Sequence, residues 1–355
     1  MKRLPVIALV AAMLLLAGCA DGGGTADPDR TDGTEADGNL TVPAENGSSD
    51  ETSDSSGVDG ELEIHHIDVG QADATLLVEP SGETMLVDSG DWRQDGAGVI
   101  EYLEARGVDR IDHLVTTHAD ADHIGGHAAV IEHYETERNG VGAVYDSGVT
   151  SNSQTYQRYL DAVETHDVEL FVVDENDGFE FGDATVDVLN PPAGESGADK
   201  QYNSVTLLVE FGEFSYLTTG DAEADAEERM AEEYGSALES DVYHSGHHGS
   251  STSSTRPFME RVDPAAAVIS SAYDSQYGHP SDAVLEDYAT RDIETYWTGV
   301  HGDIVLTTDG EDYGFETERE FSTDAGALLE EKRSDESRAA LGPPIHVTPA
   351  PTAIQ

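Results

Sequence analysis

Positions 118 to 127 read His118-Ala-Asp-Ala-Asp-His123-Ile-Gly-Gly-His127, so two imidazoles and two carboxylates stand within a few residues of one another. No helix or strand needs that composition for its own stability. A divalent metal site does, because His nitrogen and Asp oxygen are the donor types that suit zinc, manganese and iron. An ordinary acidic loop does not carry histidines on both sides of its carboxylates. The fold must therefore present this stretch as a loop after the apolar run that ends in Leu114 and Val115. Gly125 and Gly126 let the backbone turn tightly before a helix that begins near Ala128.

The ends of the chain have a different character. Lys2, Arg3 and an apolar run over 4–16 make residues 1–18 a secretory signal, too short to span a bilayer. The single cysteine, Cys19, stands where the small residues end, an arrangement that resembles a lipoprotein lipobox and implies lipidation. The expected location is the outer face of the cell membrane. Without a second cysteine there is no disulfide, and stability rests on packing. Residues 19–60 are Gly, Ser, Thr, Asp and Glu with little apolar content, an acidic disordered tether. No apolar span follows residue 18, so no transmembrane channel is expected in this chain.

Net charge is −56, from 73 acidic and 17 basic residues. Such a charge repels itself and opposes a compact state. In roughly molar salt the Debye length falls to about 3 Å and the repulsion is screened, which points to a halophilic setting. Screening, and the ability of metal ions to neutralise a phosphate locally, leave a nucleic-acid substrate open. Basic and aromatic residues nowhere cluster, so DNA contacts would come from metals, main-chain amides and isolated residues such as Lys200, Arg256 and Arg291.

Residues 61–318 suit one large α/β domain, with 319–355 a polar C-terminal tail. Short runs separated by turns predict strands over 62–69, 74–78, 84–88, 113–117, 169–173, 186–189, 204–211, 214–218, 265–270, 295–297 and 304–308. Helices are expected over 98–107, 156–166, 221–234 and 282–290. Meanders with interspersed helices, in two similar halves, imply two mixed sheets covered by outer helices.

Seven motifs follow in order: Asp68-Val-Gly-Gln-Ala-Asp73, Leu86-Val-Asp-Ser-Gly90, the 118–127 stretch, Asn203-Ser-Val-Thr206, Thr219-Gly-Asp221, His247-His-Gly-Ser250 and Tyr277-Gly-His-Pro280. Together they resemble the metallo-β-lactamase fold, and within it the exported nuclease domain of the ComEC competence-protein family and stand-alone proteins similar to it. The resemblance covers 61–318 and implies an α/β (α+β) fold, a four-layer αββα sandwich.

It also implies two divalent ions, zinc or manganese. His118 and Asp120 would hold the first, Asp122 and His123 the second, and Asp221 would bridge them. A carboxylate bridge keeps two cations about 3.5–4 Å apart, the spacing that suits attack by a shared hydroxide on a phosphodiester. By analogy His247 completes the second site, although its neighbour His248 competes for that place. The other histidine then contacts a phosphate or protonates the leaving group, so Asp122 and His248 are the expected catalytic residues. Aspartate at position 120 departs from the commoner histidine, and the first site lacks an evident further histidine: His127, His133 and His166 are available, the last two expected on helix surfaces. Asp68, Asp73 and Asp88 are expected to orient ligating imidazoles. Asn203, Ser204 and Ser250 are assigned to the substrate phosphate, with structural capping the competing role for Asn203 and Ser250. His279 is a substrate contact or an alternative ligand. The function expected is a lipid-anchored phosphodiesterase, most simply a DNase. The alternatives are a phosphocholine-like or ester substrate, for which Tyr273, Tyr277 and Trp297 are the nearest aromatics, or a non-catalytic binding module.

Overall fold

A computed structural model describes residues 2–3, 58–194 and 196–341. Cys19, nearly all of the signal segment and tether, and the proline-rich end of the tail lie outside the described residues.

Alternation along the strands sorts their side chains into two layers of core, because successive residues point to opposite faces of a sheet. In one sheet Leu77, Met85, Val87 and Val115 point inward, while Leu76, Leu86, Leu114 and Val144 point out. In the other, Val186, Val188, Leu207, Val209, Val242 and Val268 point inward, while Leu208, Leu217, Tyr243 and Ile269 point out. The two inward sets form one core between the sheets. The first outer face is covered by helices Ala97–Ala105, His127–Glu137 and Gln154–His166, the second by Ala224–Tyr234, Arg256–Val262 and Asp282–Arg291. This is the expected αββα sandwich.

Each sheet joins an antiparallel meander to a parallel run. Strand Thr84–Val87 pairs in parallel with Ile111–Thr116, and that with Val141–Asp146. In the second sheet Phe214–Thr218, Val242–His244, Ala266–Ile269 and Glu294–Trp297 are parallel neighbours. The carboxyl ends of these strands carry the motif loops, where open parallel sheets receive ligands.

Two expectations about boundaries change. The helix expected over 221–234 starts only at Ala224, because Asp221 belongs to the turn that follows its strand. The polar tail assigned to 319–355 contains helix Ala325–Leu341, whose Ala325, Leu328 and Leu329 are buried in the second outer core. Lys332 ties this helix down by donating to the carbonyls of Gly278 and Pro280 at 3.0 and 2.8 Å and to Asp282 at 2.8 Å. The domain therefore runs past 318. Among the described residues no helix is long and apolar enough to cross a membrane.

Glu227, buried on helix Ala224–Tyr234, accepts the N–H groups of Ser254 and Thr255 at 2.6 and 2.8 Å. Burial outweighs these bonds and pushes its carboxyl up to about 7. The folded state thus holds a proton that the unfolded chain releases near pH 4.5, so this group's stabilising contribution is present below that pH and is lost as pH rises through 7. At about 1.4 kcal/mol per unit the contribution is on the order of 3 kcal/mol. Thermal unfolding at fixed salt should show the native chain losing more stability than Glu227→Gln between pH 5 and 8. Parallel pH profiles would refute this assignment.

Candidate metal centre

The motif side chains converge because each leaves the carboxyl end of a parallel strand. The 118–123 loop follows Ile111–Thr116, Asp221 follows Phe214–Thr218, and the histidine pair follows Val242–His244. Gly220 is required at its turn: its φ is +51, and a Cβ there would stand 2.5 Å from Ser204 Oγ and 2.7 Å from Thr117 Cβ. His247 and His248 both hold left-handed φ, +49 and +56, a costly conformation for side-chain-bearing residues that places two successive rings in the centre.

Three buried rings are fixed by one nitrogen and leave the other bare. His123 Nδ1–H donates to Asp88 Oδ2 at 2.7 Å, His248 Nδ1–H to the Ser270 carbonyl at 3.0 Å, and His118 Nδ1–H to Thr117 Oγ1 at 3.1 Å. Thr117 Oγ1 itself donates to Asp88 at 2.6 Å. The Nε2 atoms of His118, His123 and His248, and Oδ1 of Asp221, are buried without a hydrogen-bond partner. Buried polar atoms are rarely left so, and bound cations are the partners this donor set fits.

The spacings agree. His123 Nε2 lies 3.2 Å from Asp221 Oδ1, His118 Nε2 3.5 Å from Asp221 Oδ2, and His247 Nε2 3.5 Å from the same Oδ2. Asp120 Oδ2 is 3.4 Å from His118 Nε2, and Asp122 Oδ2 is 3.4 Å from His248 Nε2. Two donors bound to one ion at about 2.0–2.2 Å in a tetrahedron stand about 3.4 Å apart.

The donors form two halves around Asp221: His118 and His247 face its Oδ2, with Asp120 beside His118, and His123 faces its Oδ1, with Asp122 and His248 paired next to it. Asp221 stands between the two groups, each of its oxygens near a different histidine. Of the adjacent pair, His248 stands with Asp122 and with His123, its ring 5.1 Å from that of His123, and His247 stands with His118 on the other side of Asp221. His127 is excluded, since its nitrogens are engaged by Ser89 Oγ at 2.6 Å and Thr116 Oγ1 at 2.9 Å. His133 pairs with Glu104 at 3.0 Å on its helix, and His166 closes helix Gln154–His166.

Asp73 also lies close, with one ligand atom each from Asp73, His123, Asp221 and His248 all within 4.8 Å of one another. It approaches the Nδ1 edges, however, 3.5 Å from His248 and 4.0 Å from His123, so it orients rings rather than sharing their bare nitrogens. Behind it stands His244, 3.3 Å from Asp73 Oδ1 and 2.9 Å from Ser270 Oγ. Sequence reasoning missed His244; its place at the end of a buried strand, three residues before His247, was the available signal. Asp68 is turned away, accepting from Arg319 at 2.8 Å.

Carboxylates and imidazoles in the centre shift one another, and His118 is lowered to about 4 by its burial and by His123. Burial alone would raise Asp221, yet His123, His248 and His118 hold it well below the usual carboxylate range. Burial would lower His248, but Asp73, Asp221 and Asp122 push it up to about 9. His123 is likewise raised by Asp221 and Asp88 against its burial. Lys200 brings an ammonium to Asp120, whose other oxygen accepts from Gln201 Nε2 at 2.8 Å.

The profile of the Metallo-beta-lactamase superfamily matches residues 67–272, which contain every one of these donors. The chain belongs to the metallo-beta-lactamase superfamily. Its relatives include ComE operon protein 3 of Bacillus subtilis (strain 168), 30% identical over 69% of this chain and 33% of that protein. Competence protein ComA of Neisseria gonorrhoeae is 32% identical over 66% of this chain and 30% of its own length. The expected likeness to competence proteins thus holds, and the chain spans about a third of the length of these relatives. Among solved structures, the metallo-beta-lactamase fold protein YhfI from Bacillus subtilis superposes with a TM-score of 0.44 at 10% identity, over 67% of this chain and 96% of that chain.

Within this superfamily fold, the expected phosphate contacts take structural roles. Ser204 Oγ accepts the Asp221 backbone N–H at 3.1 Å and holds the bridging loop. Asn203 is buried and donates to the Asp199 carbonyl at 2.7 Å. Ser250 Oγ accepts the Thr252 N–H at 3.2 Å, a local turn. His279 is half-buried, its ring centroid 5.7 Å from that of His247 and 6.3 Å from that of His248, at the rim of the centre.

Proposed function

We propose that this superfamily hydrolase is a phosphodiesterase of the nuclease type, with two divalent ions, zinc or manganese, shared across Asp221. The observation that carries the reading is the convergence of three bare, buried imidazole nitrogens on one carboxylate, in a chain whose relatives include competence proteins. Ions in these places would supply the positive charge that lowers the pKa of a water and polarises a phosphoryl oxygen. The chain's own residues hold that arrangement: Asp88, Thr117 and Ser270 fix the rings, Ser204 fixes Asp221, and Lys200 sets a further cation beside Asp120.

A choline-like substrate loses its basis. Tyr273 stacks on Trp297 at 5.8 Å, and Trp297 is fully buried, so the three aromatics do not form a cage around one cavity. The substrate class is tested by offering the metal-loaded chain a dinucleotide, a phosphocholine ester and a carboxylate ester at equal concentration. The dinucleotide should be hydrolysed at least about a hundred-fold faster; faster turnover of either other substrate would replace this reading.

The same reading sets the enzyme outside the cell, held by lipid on Cys19, as the sequence around that residue implies. Recovery of the protein in the membrane fraction with a lipid-modified Cys19 is the expected result. An unmodified chain in the cytoplasm would refute it.

A further inference from the structure

Among the described residues the exposed large hydrophobic side chains are Trp92, Tyr277 and Phe321. Trp92 is 47% and Tyr277 64% exposed, and both line the same cavity of about 350 Å³, which reaches Asp122. That volume lies in the range of sites for small organic groups, about 300–1,000 Å³. The two aromatics come from different parts of the fold, Trp92 from the loop after strand Thr84–Val87 and Tyr277 from the loop after strand Ala266–Ile269. Packing does not explain either, since each leaves much of its ring to solvent at a cleft that reaches Asp122 of the metal centre.

Flat groups continue inward from the mouth. The Tyr277 ring stands 5.9 Å from His279, which in turn stacks at 6.3 Å on His248. The Arg93 guanidinium lies 5.0 Å from the centre of the Trp92 ring, in the same cavity lining. We propose that Trp92 and Tyr277 form a stacking subsite for an unpaired nucleobase next to the scissile phosphate, so that the preferred substrate is single-stranded nucleic acid. This rests on the phosphodiesterase reading.

Charge supports the assignment. A chain of net charge −56 has few cations to offer a polyanion, and in molar salt those contacts are screened. Stacking of bases on aromatic rings survives salt and accepts any base, since every base has a π-face. A small cationic headgroup would have to share the Trp92 wall with the guanidinium of Arg93. A paired base is already stacked within its helix and cannot offer its face to either ring without leaving it.

The test uses the fluorescence of the full, metal-loaded chain in molar KCl. The chain has two tryptophans, and Trp297 is fully buried, so quenching by solutes in the cleft reports on Trp92. A short single-stranded oligonucleotide with phosphorothioate linkages, which slow turnover, should quench the emission. An abasic oligomer of the same length and choline phosphate should not. Affinity for the base-bearing oligomer, read from the anisotropy of a labelled strand, should fall about five- to a hundred-fold in Trp92→Ala and in Tyr277→Ala. Both side chains are exposed, so the variants should melt like the native chain. The subsite is overturned if both variants bind with native affinity, if the abasic oligomer binds as tightly, or if choline phosphate quenches and competes. Hydrolysis of the unmodified abasic oligomer, followed in parallel, separates the two levels: cleavage without any effect of the aromatics defeats the subsite alone, whereas no cleavage of any phosphodiester defeats the reading beneath it.

Discussion

Asp221→Ala is expected to reduce phosphodiester hydrolysis at least a hundred-fold and to lower bound metal from two ions per chain to one or none. The first figure is a floor, because changing residues that merely support metal ligands already costs about ten- to a hundred-fold. Asp221 does more than support. Its two oxygens face different histidines, His123 at 3.2 Å and His118 and His247 at 3.5 Å, so one truncation removes a donor from both halves at once. The loop should survive, since it is the backbone N–H of residue 221, not its side chain, that donates to Ser204 Oγ. The variant should therefore keep its circular-dichroism spectrum while losing metal, measured by elemental analysis after desalting. Asp122→Ala should lose activity in the same way through the second half alone. Native turnover in either variant would refute the assignment of the centre.

Transfer from about 2 M to about 0.1 M KCl is expected to lower the melting temperature by 10 °C or more. The Debye length grows from a few ångströms to about 10 Å over that change, so each carboxylate comes to feel neighbours that were hidden from it. With 73 acidic residues against 17 basic ones the added interactions are overwhelmingly repulsive. For a domain of this size 10 °C corresponds to about 6 kcal/mol at the midpoint, a large share of ordinary domain stability. The chain contains one cysteine, so no disulfide within it offsets the loss. A melting temperature that is flat or rises on dilution would remove the halophilic reading.

The sequence carried the sandwich and most of the centre, because both are written locally. Short continuous apolar runs such as Thr84–Val87 and Thr206–Phe211 announce strands with two buried faces, and the 118–123 run places four polar groups in one loop. What was hidden depends on contacts between distant segments. Helix Ala325–Leu341 has a polar composition overall, and only its docking on the outer face of the second sheet buries Leu328 and Leu329. The choice between His247 and His248 depends on backbone dihedrals and on the Ser270 carbonyl, twenty-two residues away, which claims His248 Nδ1. Ser204 looked like a phosphate contact because its partner, the Asp221 N–H, arrives from another strand. His244 and Lys200 likewise acquire meaning only when Asp73 and Asp120 come to meet them.

The most direct test of the central claim is cleavage of a fluorescent single-stranded DNA by the full chain in high salt, with chelator and then with zinc or manganese restored. Cleavage should stop on chelation, return with the metal, and be missing from Asp221→Ala throughout. Cleavage that persists after the metal has been removed, or a chain that holds two ions and leaves every phosphodiester intact, would contradict that claim.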